Sequence, residues 1–338
     1  MNLPGTEKAM AGIAGGRDPM PRRVAAIDLG SNTVRLLVAD MDGTGAWQEV
    51  ARERRITRLG EGLHAAGAVT AAAIRRTADA LGEYGEKARR LGADEISVVG
   101  TSAVREAANR SEIVAAIREA AGLSVEVIDG EEEARRMWLG VRSEVATSPG
   151  TTAVVVDIGG GSTEWIAGGD EVSSLVSLPV GVVRLSERFP VRRALSSEER
   201  ERLKDVALEA VSRAAAVVRP VPPVQVIGTA GTPTTLAALD MGLAVYDRAR
   251  VSGYRMSAGR VESWFERLAG MDASARLDFP GLEAGREDLI VPGAALLWAT
   301  LSIYRGESVV VSDSGLLEGI LIHRFARDRG LCGRRAGV

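Results

Sequence analysis

Two stretches of the chain hold the same set of chemically capable residues. Asp28-Leu29-Gly30-Ser31-Asn32-Thr33 closes one apolar run, and Asp157-Ile158-Gly159-Gly160-Gly161-Ser162-Thr163 closes another. In each, an acid ends a strand pattern and a glycine-containing turn reverses the chain. Such turns aim successive backbone N–H groups into a concave nest that suits phosphate oxygens, and glycine allows close approach without a Cβ clash. Either motif alone is also an ordinary hairpin after a strand. Placed at equivalent points of a repeated pattern, and facing each other across a cleft, the two nests would clamp a polyanion. Asp28 and Asp157 would then take its Mg²⁺ or that ion's waters.

Other residues extend this chemistry. Val226 to Leu239 reads as strand, turn and helix, with Gly228, Thr229, Gly231 and Thr232 in the turn. That helix N-terminus could meet another phosphate or a nucleotide, and a plain strand-to-helix connection explains it equally well. Arg35 projects beside the first nest, and Arg54, Arg55 and Arg58 follow it. They either draw a polyanion inward or form a solvated face. Glu131, Glu132 and Glu133 open a helix, where the N-terminal dipole favours carboxylates without selecting one.

The elements that position these residues repeat. Val24 to Asp28, Val34 to Met41 and Trp47 to Ile56 read as a strand meander. A helix follows from Thr70 to Leu91, then a strand (Ile96 to Thr101), a helix (Ser111 to Ala120), a strand (Ser124 to Asp129) and a helix (Glu131 to Val145) capped by Asp129. The order restarts with strands Thr152 to Asp157, Ser162 to Ala167 and Glu171 to Ser177, and a long helix, Ser197 to Val218. After the third loop come further helices, a strand from Ser308 and a last helix from Leu316. Two copies of one topology are expected, 24–147 and 148–330, with the last helix free to return to the first copy. Residues 1–23 and the tail 331–338 are expected to be mobile or peripheral.

Composition narrows the class. With 338 residues, 46% apolar, and a net charge of −3, the chain is globular and lacks the dominant basic face of a nucleic-acid-coating protein. Cys332 is the single cysteine, so no internal disulfide can form, which suits a reducing compartment. Pro4, Glu7 and Lys8 interrupt any leader-like apolar core, and Leu289 to Tyr304 is too short and polar-interrupted to span a membrane. A cytoplasmic protein with no membrane partner is expected. His64 and His323 have no acid–base partner apparent and are assigned no role.

The two phosphate loops together resemble the actin and sugar-kinase superfamily. The ordered set "AAIDLGSNTVRLLVAD", "RLGEGL", "VGTSAVREAAN", "VIDGEEEARRMWLGV", "VVDIGGGSTEW", "SLPVGVVRL", "VIGTAGT" and "SDSGLLEGIL" resembles, more narrowly, the exopolyphosphatase and guanosine pentaphosphate phosphohydrolase (Ppx/GppA) family from Val24 to His323. The resemblance implies an α/β fold of two similar actin-like, ribonuclease H-like domains, each a mixed sheet with a β-meander and flanking helices, around a cleft. It implies hydrolysis of the terminal anhydride of inorganic polyphosphate, with guanosine pentaphosphate as a second substrate and a place in the stringent response. Glu133 would be the base, with Glu132 also matching the motif. Arg105 would grip the transferring group, although a surface pair with Glu106 or Glu112 is the plainer reading of that arginine. Glu164, Asp157 and Asp28 would hold Mg²⁺ or another divalent cation. Closure of the two domains on binding, hinged near 130–150 and at the return into the last helix, would bring Glu133 and the 157–163 loop together.

The chain departs from the family in two places. It stops soon after the last helix, where longer members carry a further helical region, so processivity on long chains is in doubt. Leu317 stands where the family often has Arg. Two other readings remain, an ATP-dependent kinase of the wider superfamily and a non-catalytic polyphosphate or alarmone sensor. A homodimer is left open.

Overall fold

The computed structural model describes residues 22–42 and 46–328. The expected mobile segment lies outside them except for Arg22 and Arg23, which open the first strand; Cys332 and the tail lie outside as well. Strands β1 (Arg22–Leu29), β2 (Thr33–Met41) and β3 (Trp47–Ile56) form the first meander. β4 (Glu95–Gly100) and β5 (Val125–Val127) join parallel to it, and the sheet order is β3-β2-β1-β4-β5. In the second half β6 (Thr152–Ile158), β7 (Thr163–Gly168) and β8 (Val172–Leu178) repeat the meander. β9 (Val224–Thr229), β10 (Arg255–Ser257) and β11 (Ser308–Val311) complete it in the order β10-β11-β9-β6-β7-β8. Without β10 the two orders are the same, so the duplicated mixed α/β architecture is as expected. β10 is three residues antiparallel to β11, too short for a sequence pattern to register.

Residue pattern explains the layering. β1 and β6 are central and their apolar residues are buried on both faces, as continuous apolar runs require. β3 is an edge strand that carries five charged residues, Glu49, Arg52, Glu53, Arg54 and Arg55, which discourages pairing with another chain. The helix Ile290–Ile303 is apolar all round because it sits inside the second core, and among the described residues no helix is long and apolar enough to cross a membrane.

Two helices cross between the sheets. Gly130–Glu144 starts at Asp129, whose side chain accepts from the Glu132 amide at 2.8 Å, and it packs on β7 and β8 of the other half. The final helix, Leu316–Asp328, packs back onto β1 and β2. Met137, Trp138 and Val141 from one and Leu317, Ile320 and Leu321 from the other share a core with residues of both sheets. At the crossing the backbones touch: a Cβ on Gly140 would lie 1.8 Å from the Gly315 carbonyl oxygen, and one on Gly319 1.8 Å from that of Arg136. Leu317 is buried in this core, so the position where the family often has Arg serves packing here.

Candidate active site

Both nests open onto one cleft between the sheets. Its walls include Asp28, Gly30, Ser31, Asn32, Thr33 and Arg35 from the first half, and Asp157, Gly159, Gly160, Gly161 and Ser162 from the second. The turns are built alike: Gly30 N–H donates to the Thr33 carbonyl at 3.2 Å, and Gly159 N–H to that of Ser162 at 3.1 Å. They also abut. A Cβ on Gly161 would lie 2.3 Å from Ser102 Oγ and 2.9 Å from Ser31 Oγ, so a larger residue would force the nests apart. The sheet registers place the acids, since Asp28 pairs across the strands with Arg35 and Asp157 with Glu164. Glu133 enters the same cleft from the first turn of the crossing helix.

Each acid has a distinct environment. Asp28 Oδ2 accepts from Arg35 Nε at 2.9 Å and Nη2 at 2.6 Å. Burial opposes the Arg35 charge, but Asp28 and Asp157 more than offset it and its pKa is raised. Burial lifts Asp157 to about 6, with Arg35 opposing and Asp28 adding to the rise. Burial and then the Asp157 charge push Glu164 up to about 8, against hydrogen bonds from Ser177 and Ser162. Glu133 is held well above the usual carboxylate range, first by burial and then by Glu164, while Arg105 pulls it down. A buried carboxylate so raised can take up a proton near neutral pH.

Arg105 stands behind Glu133 and not on the cleft wall. Its Nη1 donates to Glu133 Oε2 at 3.1 Å and to the Ile128 carbonyl at 2.8 Å. The alternative surface pairs are not formed: Glu106 accepts from Ser102 and Arg184, and Glu112 from Asn109. The arginine therefore fixes the orientation of the carboxylate. Its outer side faces a second depression lined by Glu106, Asp129, Glu131 and Ser177.

The expected trio of metal ligands is not assembled. Among the described residues no three acidic, histidine or cysteine side chains converge on a metal position, and Glu164 lies behind the second nest with Oε1 accepting from Ser177 at 2.6 Å. Asp28 and Asp157 do fit a cation, because Oδ1 of each is buried with no protein partner. Mg²⁺ is commonly held by one or two carboxylates, with waters and substrate phosphates completing its shell.

The third loop contributes in part. Gly231 and Thr232 line the cleft at the start of helix Gly231–Asp240. Gly228 and Thr229 do not: a Cβ on Gly228 would strike Pro233 and Val309, and Thr229 Oγ1 donates to the Ser314 carbonyl at 2.9 Å. The Thr163 hydroxyl is likewise spent, on the Val180 carbonyl. The sequence cannot separate a turn residue facing the ligand from one beneath it, because both satisfy the same turn chemistry.

The basic run after Arg35 is not free. Arg54 pairs with Glu283 at 3.2 Å and lies 5.2 Å from the Tyr246 ring centroid; Arg55 pairs with Glu83 at 2.5 Å. Arg58 pairs with Asp288 at 3.0 Å. Sequence reasoning missed Arg286, which lines the cleft over the start of the third-loop helix, where a Cβ on Gly231 would lie 1.9 Å from its Nη1. Burial, then repulsion from Arg54 and Arg35, lowers its pKa, and its Nε donates to Glu283 at 3.1 Å. A buried cation crowded by cations favours an anion beside it. The available signal was an arginine isolated in the short loop before the all-apolar helix.

The burial of Glu164 has a measurable consequence. Its pKa moves from 4.5 to about 8 on folding, so the folded chain holds this proton more tightly than the unfolded one. Stability from this source is complete below the unfolded value and is lost as pH rises toward the folded one. Glu164→Gln, which removes the charge, is expected to stabilise the chain at pH 8 by on the order of a few kcal/mol and far less at pH 5. Urea midpoints at the two pH values check this, and an equal shift at both would contradict it.

Comparison with known proteins agrees with this architecture. The chain matches the Ppx/GppA phosphatase family over residues 37–327. It is 36% identical to exopolyphosphatase 2 of Mycobacterium tuberculosis over 320 residues, covering 89% of this chain and 98% of that one. It is 30% identical over 315 residues to guanosine-5′-triphosphate,3′-diphosphate pyrophosphatase of Photobacterium profundum, covering 93% of this chain and 61% of that longer protein. The crystal structure of the Aquifex aeolicus member of the Ppx/GppA family superposes with a TM-score of 0.77 at 32% identity, covering 91% of this chain and 98% of that one. With the family matched over most of its length, and two phosphate nests and a buried glutamate meeting in one cleft, the chain belongs to the Ppx/GppA phosphatase family.

Proposed function

We propose that the protein is an exopolyphosphatase, a phosphoanhydride hydrolase that removes terminal phosphates from inorganic polyphosphate and also acts on guanosine pentaphosphate. The observation that carries the reading is the convergence of both nests, Arg35, Arg286 and Glu133 on one cleft of anion-binding character. In the reaction a water oxygen attacks the terminal phosphorus while the bridging P–O bond breaks. The shortened chain leaves with the electron pair, and the water's proton goes to a carboxylate oxygen of Glu133. Such a transition state is loose and needs positioning and charge neutralisation more than covalent help. The nest amides that follow Gly30 and Gly159, whose own N–H groups close the turns, hold the phosphoryl oxygens together with Arg35 and Arg286, and Arg105 keeps the Glu133 carboxylate turned toward the water. Mg²⁺ bound by Asp28 and Asp157 would neutralise phosphate charge. The raised pKa of Glu133 supports a base over a passive sensor, since a binding module gains nothing from burying a carboxylate beside its anion.

Phosphate release from tripolyphosphate, from longer polyphosphate and from guanosine pentaphosphate, each with and without Mg²⁺, tests this. Release from polyphosphate that requires the cation is expected. Silence on every polyphosphate, with ATP-dependent phosphorylation of a small acceptor instead, would replace the reading by a kinase.

A further inference from the structure

Arg58 links the two walls of the cleft in a way that neither the nests nor the catalytic carboxylate explains. Its backbone belongs to the first nest, because the Thr57 and Arg58 amides both donate to the Asn32 carbonyl, at 3.0 and 2.9 Å. Its own φ is 49°, in the left-handed region that an arginine occupies only when its surroundings hold it there. Its side chain crosses to the other half. Nη1 and Nη2 donate to Asp288 Oδ2 and Oδ1 at 3.1 and 3.0 Å, and Nη2 also donates to the Gly285 carbonyl at 3.2 Å. Asp288 is buried, with 8% of its side chain exposed, and Arg192 approaches it only from solvent, at 3.5 Å. Asp288 and Gly285 flank Arg286, the buried cation over the third-loop helix.

We propose that Arg58 is a positioning residue: a bidentate latch to Asp288 that ties the first nest to the 285–288 loop and so places Arg286 against the bound polyanion. This rests on the phosphate-binding reading of the cleft. Other bridges join the same walls: Arg184 to Glu106 and the Gly62 amide to Glu187 at 2.8 Å do not touch the Arg286 loop, and Arg54 reaches that loop at Glu283, at 3.2 Å, through a more exposed pair than Arg58 and Asp288. The fork geometry matters, since a guanidinium can hold both carboxylate oxygens and a carbonyl at once and an ammonium cannot.

Two measurements decide it. In the ligand-free chain, hydrogen exchange reads the loop through the Arg286, Leu289 and Ile290 amides, which donate to Glu283 and Arg286 carbonyls. Arg58→Ala and Asp288→Asn are each expected to speed exchange there by about tenfold or more while β6 amides stay unchanged. Arg58→Lys should restore little, and the swap Arg58→Asp with Asp288→Arg should restore part of the protection. Unchanged loop exchange in both single variants overturns the latch. In a Glu133→Gln background, where bound tripolyphosphate persists, calorimetry is expected to give an affinity loss of about tenfold for Arg58→Ala and for Arg286→Ala, with the double variant little worse than Arg286→Ala. Losses that multiply mean that Arg58 does not act through Arg286, and overturn the proposal. Failure of Glu133→Gln itself to bind tripolyphosphate would sink the substrate reading instead, and the exchange data would still judge the latch.

Discussion

Glu133→Gln is expected to lower the turnover of polyphosphate by about 10²–10⁴-fold, the range for loss of a general base, while leaving polyphosphate affinity within a few-fold of wild type. The isosteric amide keeps the shape of the site and an oxygen for Arg105, whose Nη1 sits 3.1 Å from the carboxylate, but it cannot accept the proton of the attacking water. Single-turnover phosphate release with binding measured separately is the check, and unaltered release would remove Glu133 from its role. The same chemistry sets the direction of the pH profile. Burial and Glu164 hold the Glu133 proton on, so activity should rise as pH climbs through this raised value and the base becomes free. Glu164→Gln removes the neighbouring charge and should move that rise to lower pH. A profile that stays in place would mean that the two carboxyls do not titrate together.

The largest effect on the folded state is expected at the helix crossing. A methyl group at Gly140 would sit 1.8 Å from the carbonyl oxygen of Gly315, just ahead of the final helix, and one at Gly319 1.8 Å from that of Arg136 in the crossing helix, so the helices must separate or tilt. Overpacking of this kind costs about 1–3 kcal/mol even where flexible side chains can give way. Here the obstacle is backbone on both sides, and both crossing helices pack on residues of both sheets, so Gly140→Ala and Gly319→Ala are each expected to cost about 3 kcal/mol or more. The angle between the halves should change with it, spreading the nests. Urea unfolding and phosphate release measured on the same preparations check this. A Gly319→Ala chain with wild-type midpoint and activity would show that the crossing tolerates a side chain.

The fold was largely legible in the residues. Period-two patterns placed β3 at Trp47–Ile56, and the Ala-rich helix was read within a residue at each end of Ala71–Arg90. Elements of this length are governed by local burial pattern, which the sequence displays directly. Asp129 announced the crossing helix through its cap, a local hydrogen bond. The two nests were legible too, because a turn needs its glycines wherever it is placed.

The sequence by itself determined that there are two equivalent strand-and-turn units with an acid at the head of each, since those features depend on neighbours in the chain. Only the tertiary structure decided which residues share the cleft. Arg105 pairs with Glu133, Thr229 and Thr163 spend their hydroxyls on carbonyls, and Glu164 lies behind the nest. Arg286 and the Arg58–Asp288 bridge became visible only where residues 230 positions apart met. The physical reason is that a side chain's charge state, partner and direction are set by whatever packs against it, and in this fold those neighbours come from the opposite half of the chain.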